Sequence, residues 1–302
     1  MPQDLRSGPP AAVPPDAGRP QAHDARVTVD ASGLSDRGLK RPNNEDHFLV
    51  AQIDRSWRTL QTNVPDGAFP QTITDSVTAQ MVADGMGGKA GGEIASRTAI
   101  AAFVDIVQRT PNLILRLDKQ VADDILQRMA KRFERVKDAL EDVVRRDPTL
   151  SGMGTTLTLA CNFRDDLLVA HVGDSRAYLY RGGSLQRLTR DQTMGQFLRE
   201  AGLLSEAELA RHPMRHVLTG VLGTQGSPIE VELRFVHLED DDQILLCSDG
   251  LTEMVDDAAI AAALGSTRTA AEACQRLVNL ALGHGGHDNV TVVVSRYRIA
   301  PP

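Results

Sequence analysis

The chain has 302 residues, 41% of them hydrophobic and 24% charged, with a formal net charge of −7. That length suffices for one large core, while the acidic balance and the lack of any Arg/Lys-rich run argue against nucleic acid or an anionic membrane as partner. No run approaches the ~20 apolar residues of a membrane span, none near the start reads as a signal peptide, and Cys161, Cys247 and Cys274 lie far apart in apolar runs, so a soluble cytoplasmic protein with reduced thiols is expected.

Residues 1–25 hold six of the 15 prolines and show neither strand nor helix periodicity, which predicts a disordered tail before a single domain over 26–299. Val27, Val29 and Ala31 alternate with polar residues where that domain begins. Strand-like runs follow at His47–Ile53 and Val77–Ala83, separated by 54–76, which carries the sole tryptophan, Trp57, and reads as a surface hairpin or a docking loop. Helical patterns cover Gly92–Arg109 and Lys119–Arg146, the second so charged that a solvated helix with internal ion pairs is the simplest reading. Further strands are expected at Thr155–Asn162, Leu167–Val172 and Ala177–Tyr180, the last entering a hairpin through Gly182-Gly183. Residues 192–227 mix short amphipathic pieces, Met194–Ala201 and Glu206–His212, with glycines, and read either as a helical flap or as an ordinary surface insertion. Strands at Ile229–Val236, Gln243–Cys247 and Val290–Ser295 and helices at Asp256–Leu264 and Thr267–Leu282 complete the pattern, which is α+β with antiparallel sheet.

Acids recur in Asn44-Glu45-Asp46, Asp84-Gly85, Gly173-Asp174-Ser175, Ser248-Asp249-Gly250 and Asp288-Asn289, and three of these groups directly follow a strand-like run. A carboxylate on a turn at a strand end has a fixed backbone and free oxygens, and several brought together repel unless cations hold them. Oxygen donors with few Cys or His nearby favour Mn²⁺ or Mg²⁺ over zinc. Gly88-Lys89 resembles the end of a phosphate-binding G-x-x-x-x-G-K-[ST] loop, but Ala83 and Ala90 occupy its first Gly and its Ser/Thr positions. Arg41, just before the Glu45-Asp46 pair, offers a planar fork of donors for phosphate oxygens or for a surface ion pair.

The ordered set Arg41…Asn44-Glu45-Asp46, Asp84-Gly85-Met86-Gly87-Gly88, Gly154-Thr155-Thr156, Gly173-Asp174-Ser175-Arg176, Ser248-Asp249-Gly250 and Asp288-Asn289 resembles the metal-dependent protein phosphatases of type 2C, in their bacterial branch, over about residues 26–299. The resemblance implies a four-layer αββα sandwich, two antiparallel β-sheets flanked by helix pairs, with two metal ions at one end. It implies that Asp84 bridges both ions, Gly85 offers its carbonyl, Asp249 and Asp288 ligate one ion, and Glu45 and Asp46 bind directly or through water. It further implies that Asp174, with Asp249, holds a third ion, and that Arg41 binds the substrate phosphate. The implied reaction is attack on phosphoserine or phosphothreonine by a hydroxide bridging the ions, with Arg41, Asp84 and Asp249 as the catalytic set. Phosphorylated Ser/Thr proteins, a Ser/Thr kinase among them, are the implied partners of a monomer; the rival readings are an inactive phosphatase-like scaffold module and an enzyme for small phosphorylated metabolites.

Three departures from the family pattern stand out. Met86 replaces a histidine of the eukaryotic branch sometimes assigned as the acid, Gln192 stands where Thr-x-Asp-His is usual, and Gly220 where an arginine is common. His284 and His287, beside a Gly-Gly turn, read as surface residues, and His171 in an apolar strand as a packed side chain.

Overall fold

Successive residues of a strand point to opposite faces of their sheet. In the computed structural model of the chain, which describes residues 26–65, 68, 71–87, 90–109, 122–209, 212–223 and 229–300, that alternation divides the apolar side chains among three clusters. The first sheet runs β1 (Arg26–Asp36), β12 (Val290–Ala300), β11 (Gln243–Cys247), β7 (Arg176–Arg181) and β8 (Ser184–Arg187). The second runs β10 (Glu232–His237), β6 (Asp166–Val172), β5 (Leu157–Phe163) and β3 (Thr72–Met86), extended by β4 (Gly154–Thr155) and β9 (Leu222–Gly223), with β2 (Asp46–Arg58) also paired to β3. Every pairing is antiparallel.

Val82, Val169, Leu246 and Val293 point between the sheets, while their neighbours Met81, Leu168, Leu245 and Val292 point outward to helices. Outside the second sheet lie α1 (Gly91–Gln108) and α2 (Ala122–Arg146); outside the first lie α5 (Asp249–Thr252), α6 (Asp257–Gly265) and α7 (Ala270–Gly283). This is the expected four-layer αββα sandwich. The charged α2 is solvated on one side only: Ile125, Met129, Phe133, Val136 and Leu140 recur at helical spacing and are buried against α1 and the sheet, and the Phe133 ring meets Phe103 edge-on at 6.1 Å.

Segment 54–76 is the tip of the long β2–β3 hairpin, paired as far as Arg58 opposite Thr72, with Trp57 61% exposed. The flap contains two short helices, α3 (Met194–Glu200) and α4 (Glu206–Leu209). The expected tail over 1–25, the Gly88-Lys89 pair, the start of the second expected helix at Lys119 and parts of the flap at 210–211 and 224–227 lie outside the described residues. The three cysteines are free thiols.

Candidate active site

Strand register assembles the acidic turns. Asp46 at the start of β2 sits opposite Asp84 near the end of β3, and β12 leaves Asp288-Asn289 beside them. The backbone of Asp84 is held twice by the Gly-Thr-Thr segment: its N–H donates to Thr156 Oγ1 at 2.9 Å, and its carbonyl accepts from Thr156 N and from Thr155 Oγ1 at 2.9 Å. Thr156 in turn meets Ser175 Oγ at 2.8 Å, which links this turn to the one that carries Asp174. The Gly85 carbonyl is brought close to α1 because residue 92 is also glycine; a Cβ at either position would collide with the other's carbonyl oxygen, and one at Gly92 would strike the Glu45 carboxylate.

The six expected carboxylates meet in one place. Asp46 is buried, while Asp84, Asp174, Asp249 and Asp288 are partly enclosed and keep accessible surface. Desolvation, and then repulsion from Asp46, Asp249, Asp174 and Asp288, pushes the Asp84 carboxyl well above its usual range. Asp249 is raised in the same way, first by desolvation and then by Asp174. Burial lifts Asp46 to about 6 against the opposing hydrogen bond from Ser248, and lifts Asp174 to about 7 with help from Asp191. Glu45 is raised by desolvation, with Arg41 opposing. The Arg41 guanidinium lies at the edge of the group, donating to Asp288 Oδ2 at 2.5 Å, and is itself half exposed.

Several residues to which the sequence had assigned no role support the acids. Ser248 Oγ donates to Asp46 Oδ2 at 2.7 Å, and Asn289 accepts from Glu45 N while donating to the carbonyls of Arg37 and Asn43, each at 2.8 Å. Asp191 and Glu253 border the Asp174–Asp249 pair; Asp191 is neutralised by a two-pronged Arg176 at 3.0 and 2.8 Å, and Glu253 meets His216 of the flap at 3.0 Å. The signal for Asp191 lay in the Thr-x-Asp segment, and that for Glu253 in its spacing of four from Asp249 on a short helix.

The flap does lie over something. A cleft of about 450 Å³ runs between it and the acids, bordered by Asp174, Asp249, Glu253, Arg199, Arg215 and His216. Gln192 fastens the flap's base: its Oε1 accepts from Gly173 N at 3.1 Å, its Nε2 donates to Glu230 O at 2.9 Å, and its carbonyl accepts from Thr219 N and Gly220 N. A Cβ at Gly220 would overlap the Gln192 carboxamide, so these two departures from the family pattern are in contact and form one feature. His171 is fully buried between Thr158 Oγ1 and Gly173 O, and desolvation pushes it down to about 4. His284 and His287 are exposed, the latter at the cleft's rim.

The donor set fits divalent cations. Every candidate ligand is a hard oxygen, and Asp46 Oδ1 is buried with no hydrogen-bond partner. The carboxylate oxygens are spread wider than one ion's shell; among the described residues, three ligand atoms within 4.8 Å of one another occur at Asp165, Asp166 and His237, at the opposite end of β6.

A family model described as protein phosphatase 2C matches residues 43–281. The serine/threonine protein phosphatase PstP of Mycobacterium tuberculosis is 36% identical over 273 residues, covering 90% of this chain and 46% of that protein, so the chain spans about half the length of this relative. The serine/threonine phosphatase stp of Listeria innocua is 32% identical over 260 residues, covering 86% of this chain and 92% of the relative. A crystal structure of the PstP catalytic domain in complex with two manganese ions superposes with a TM-score of 0.70 at 33% identity, covering 90% of this chain and all of that one.

Proposed function

Because the chain belongs to the protein phosphatase 2C family, we propose that it is a metal-dependent phosphoprotein phosphatase hydrolysing phosphoserine and phosphothreonine, with residues 26–299 as its catalytic domain. The observation that carries this reading is the meeting of Asp46, Asp84, Asp249 and Asp288 around an accessible Arg41. Asp84 would serve two ions, with the Gly85 carbonyl on one, Asp249 and Asp288 on the other, and Glu45 and Asp46 in direct or water-bridged support. Asp174 and Asp249 would share a third. Bound there, the ions supply Lewis-acid charge and make a water acidic enough to act as nucleophile near neutral pH.

The chain's own residues do the rest. One guanidinium nitrogen of Arg41 is engaged by Asp288, which leaves Nε and Nη1 to grip two phosphoryl oxygens and to orient the phosphorus for in-line displacement. Ser248 and Asn289 hold Asp46 and the Glu45 backbone in place, so the acids do not reorganise as charge develops. Met86 has no proton to give, so the departing seryl or threonyl oxygen takes its proton from water.

Manganese in the related PstP structure supports Mn²⁺, and Mg²⁺ has the same ligand preferences. A monomer acting in the cytoplasm on phosphoproteins, a Ser/Thr kinase among them, completes the proposal; three free thiols and the acidic charge support that location and the absence of nucleic acid or membrane as partner. No described helix is long and apolar enough to cross a membrane. The test is hydrolysis of p-nitrophenyl phosphate, a phosphothreonine peptide and a sugar phosphate with Mn²⁺, with Mg²⁺ and in excess chelator. Metal-dependent turnover that favours the peptide over the sugar phosphate is expected, and full activity in chelator would sink the proposal.

A further inference from the structure

The cleft beneath the flap carries charges that the metal site does not use. Its wall continues from Asp174 and Asp249 to Arg176, at the start of β7, and to Arg187, which β8 places opposite Tyr178. Both guanidinium groups close on one carboxylate. Arg176 takes both oxygens of Asp191, through Nε at 3.0 Å and Nη2 at 2.8 Å, and spends Nη1 on the Tyr178 hydroxyl at 3.2 Å. Arg187 Nη2 returns to Asp191 Oδ1, which Arg176 already holds, and Arg187 Nε donates to Thr189 O at 2.7 Å. Among the described residues, Arg187 Nη1 has no partner. It is not a buried atom either: the buried side-chain nitrogens and oxygens that lack a partner there are Asp46 Oδ1 and Gln80 Oε1. Nη1 is therefore a charged donor that water or a ligand can reach, on a side chain that is 26% exposed and borders the cleft.

Two cations on one Asp191 leave a surplus of positive charge. The next carboxylate, Asp257 at the start of α6, accepts from the Tyr178 hydroxyl at 3.2 Å and forms no ion pair with either arginine. Burial pushes the Arg187 pKa below the usual arginine value; Asp191 opposes the fall and Arg176 adds to it. A guanidinium stays protonated all the same, so the surplus is permanent. The flap brings Arg199 and Arg215 to the same cleft, the first donating to Gln196 and the second to His216. An anion in the cleft meets, at Arg187 Nη1, a donor already oriented by two other bonds, so little side-chain freedom is lost on binding. Asp191 touches Arg187 on one side and repels Asp174 on the other, so a single carboxylate separates this donor from the acids. An extended peptide advances roughly 3.3 Å per residue, which puts Arg187 within reach of a side chain two or three residues from one held at those acids.

We propose that Arg187 is a specificity residue that grips an anionic side chain, carboxylate or phosphoryl, two or three residues from the phosphorylated serine or threonine, so that acidic or multiply phosphorylated segments are the preferred substrates. This role rests on the phosphatase reading, and p-nitrophenyl phosphate, which has no flanking residues, tests that premise by itself. The role is tested with the full chain and Mn²⁺ on phosphothreonine peptides that differ at one position, two or three places before or after the phosphothreonine. That position holds alanine, glutamate or a non-hydrolysable phosphonate analogue of phosphoserine. For at least one placement, kcat/KM is expected to be about threefold to tenfold higher with an anion than with alanine, the scale of a partly exposed charge-assisted pair. The gain should shrink as salt is raised from about 0.05 to about 0.5 M. The larger of the two gains tells whether a carboxylate or a phosphoryl group is preferred. Arg187→Gln should bring the anion-to-alanine ratio close to one, while Arg187→Lys, which keeps the charge, should retain part of it. The ratio is read within each variant, so a uniform loss of activity leaves it unchanged. Turnover of p-nitrophenyl phosphate without any anionic preference among the peptides would overturn the role of Arg187 and leave the phosphatase reading standing. An unchanged ratio in Arg187→Gln, with all peptides slowed alike or not at all, would overturn it too. Absence of Mn²⁺-dependent turnover of p-nitrophenyl phosphate would remove the phosphatase reading and this role with it.

Discussion

At the scale of single residues, the acids of the site set stability and activity against each other. Asp84 is desolvated and lies among four other carboxylates that raise its pKa, so Asp84→Asn removes a carboxyl that the metal-free fold can ionise only against burial and repulsion. The expected outcome is a higher Tm in chelator together with a loss of Mn²⁺-dependent turnover by about 100-fold or more, the scale on which losing one charge-stabilising group acts. A variant that keeps its turnover would show that Asp84 does not serve the metals. Ser248→Ala acts in the opposite sense: it strips Asp46 Oδ2 of its donor and Thr291 N of its acceptor, both buried. A loss of about 1–3 kcal/mol in urea unfolding follows from leaving such groups unsatisfied, and an unchanged midpoint would refute it. The carboxylates were legible in the sequence because Asp-Gly and Asp-Asn turns punctuate apolar runs. The supporting roles of Ser248, Thr156 and Asn289 within those motifs were not, because a donor at a strand end has no periodic signature and acquires its partner only when register brings distant strands together.

Among elements, the flap's attachment invites a direct test. Gln192 joins the Gly173-Asp174 turn to both ends of the flap, and Gly220 leaves room for its carboxamide. Gly220→Ala should displace that side chain and cost about 1–2 kcal/mol, roughly the two hydrogen bonds lost. In the Gln192→Ala background the same substitution should cost almost nothing, and additive losses in the double variant would disprove the coupling. Element boundaries followed the physics of burial. Strand β11 runs from Gln243 to Cys247 as expected because all five residues are buried between flanking polar ones, and α1 differs by one residue at each end. The hairpin β2–β3 extends well past the apolar runs at its base, since thirteen cross-strand pairs carry polar residues outward as a ribbon that hydrophobic pattern alone does not mark. The expected strand Thr155–Asn162 holds one register against β3 from Gly85↔Thr155 to Val82↔Thr158, interrupted where Thr156 turns its hydroxyl to Asp84 and Ser175. In α2, the charges dominated the sequence while the apolar stripe beneath them set the packing.

For the molecule as a whole, the raised carboxylates make stability depend on pH in an unusual direction. Between the ordinary aspartate value of 3.8 and the value of about 7 reached by Asp174, the metal-free folded protein holds protons that the unfolded chain has released. Its stability therefore falls as pH rises through that window. Tm measured in chelator should be higher at pH 5 than at pH 8. Saturating Mn²⁺ should reverse the slope, because the ion takes the place of the protons and binds more tightly as they leave. A chelator-treated protein whose Tm rises with pH would rule out the carboxylate cluster as the cause.

The pairing of β1 with β12 over eleven residues, from Arg26↔Ala300 to Asp36↔Val290, carries a consequence for biosynthesis. β12 is inserted between β1 and β11, so the first sheet cannot close until residues 290–300 have left the ribosome, and Asp288 and Asn289 arrive with that same stretch. The second sheet and its helices are available earlier. A nascent chain stalled before β12 would expose the edges of β1 and β11 to aggregation and to chaperones, and it would lack Asp288 and Asn289, so under the proposed function no turnover is expected during translation until β12 is in place.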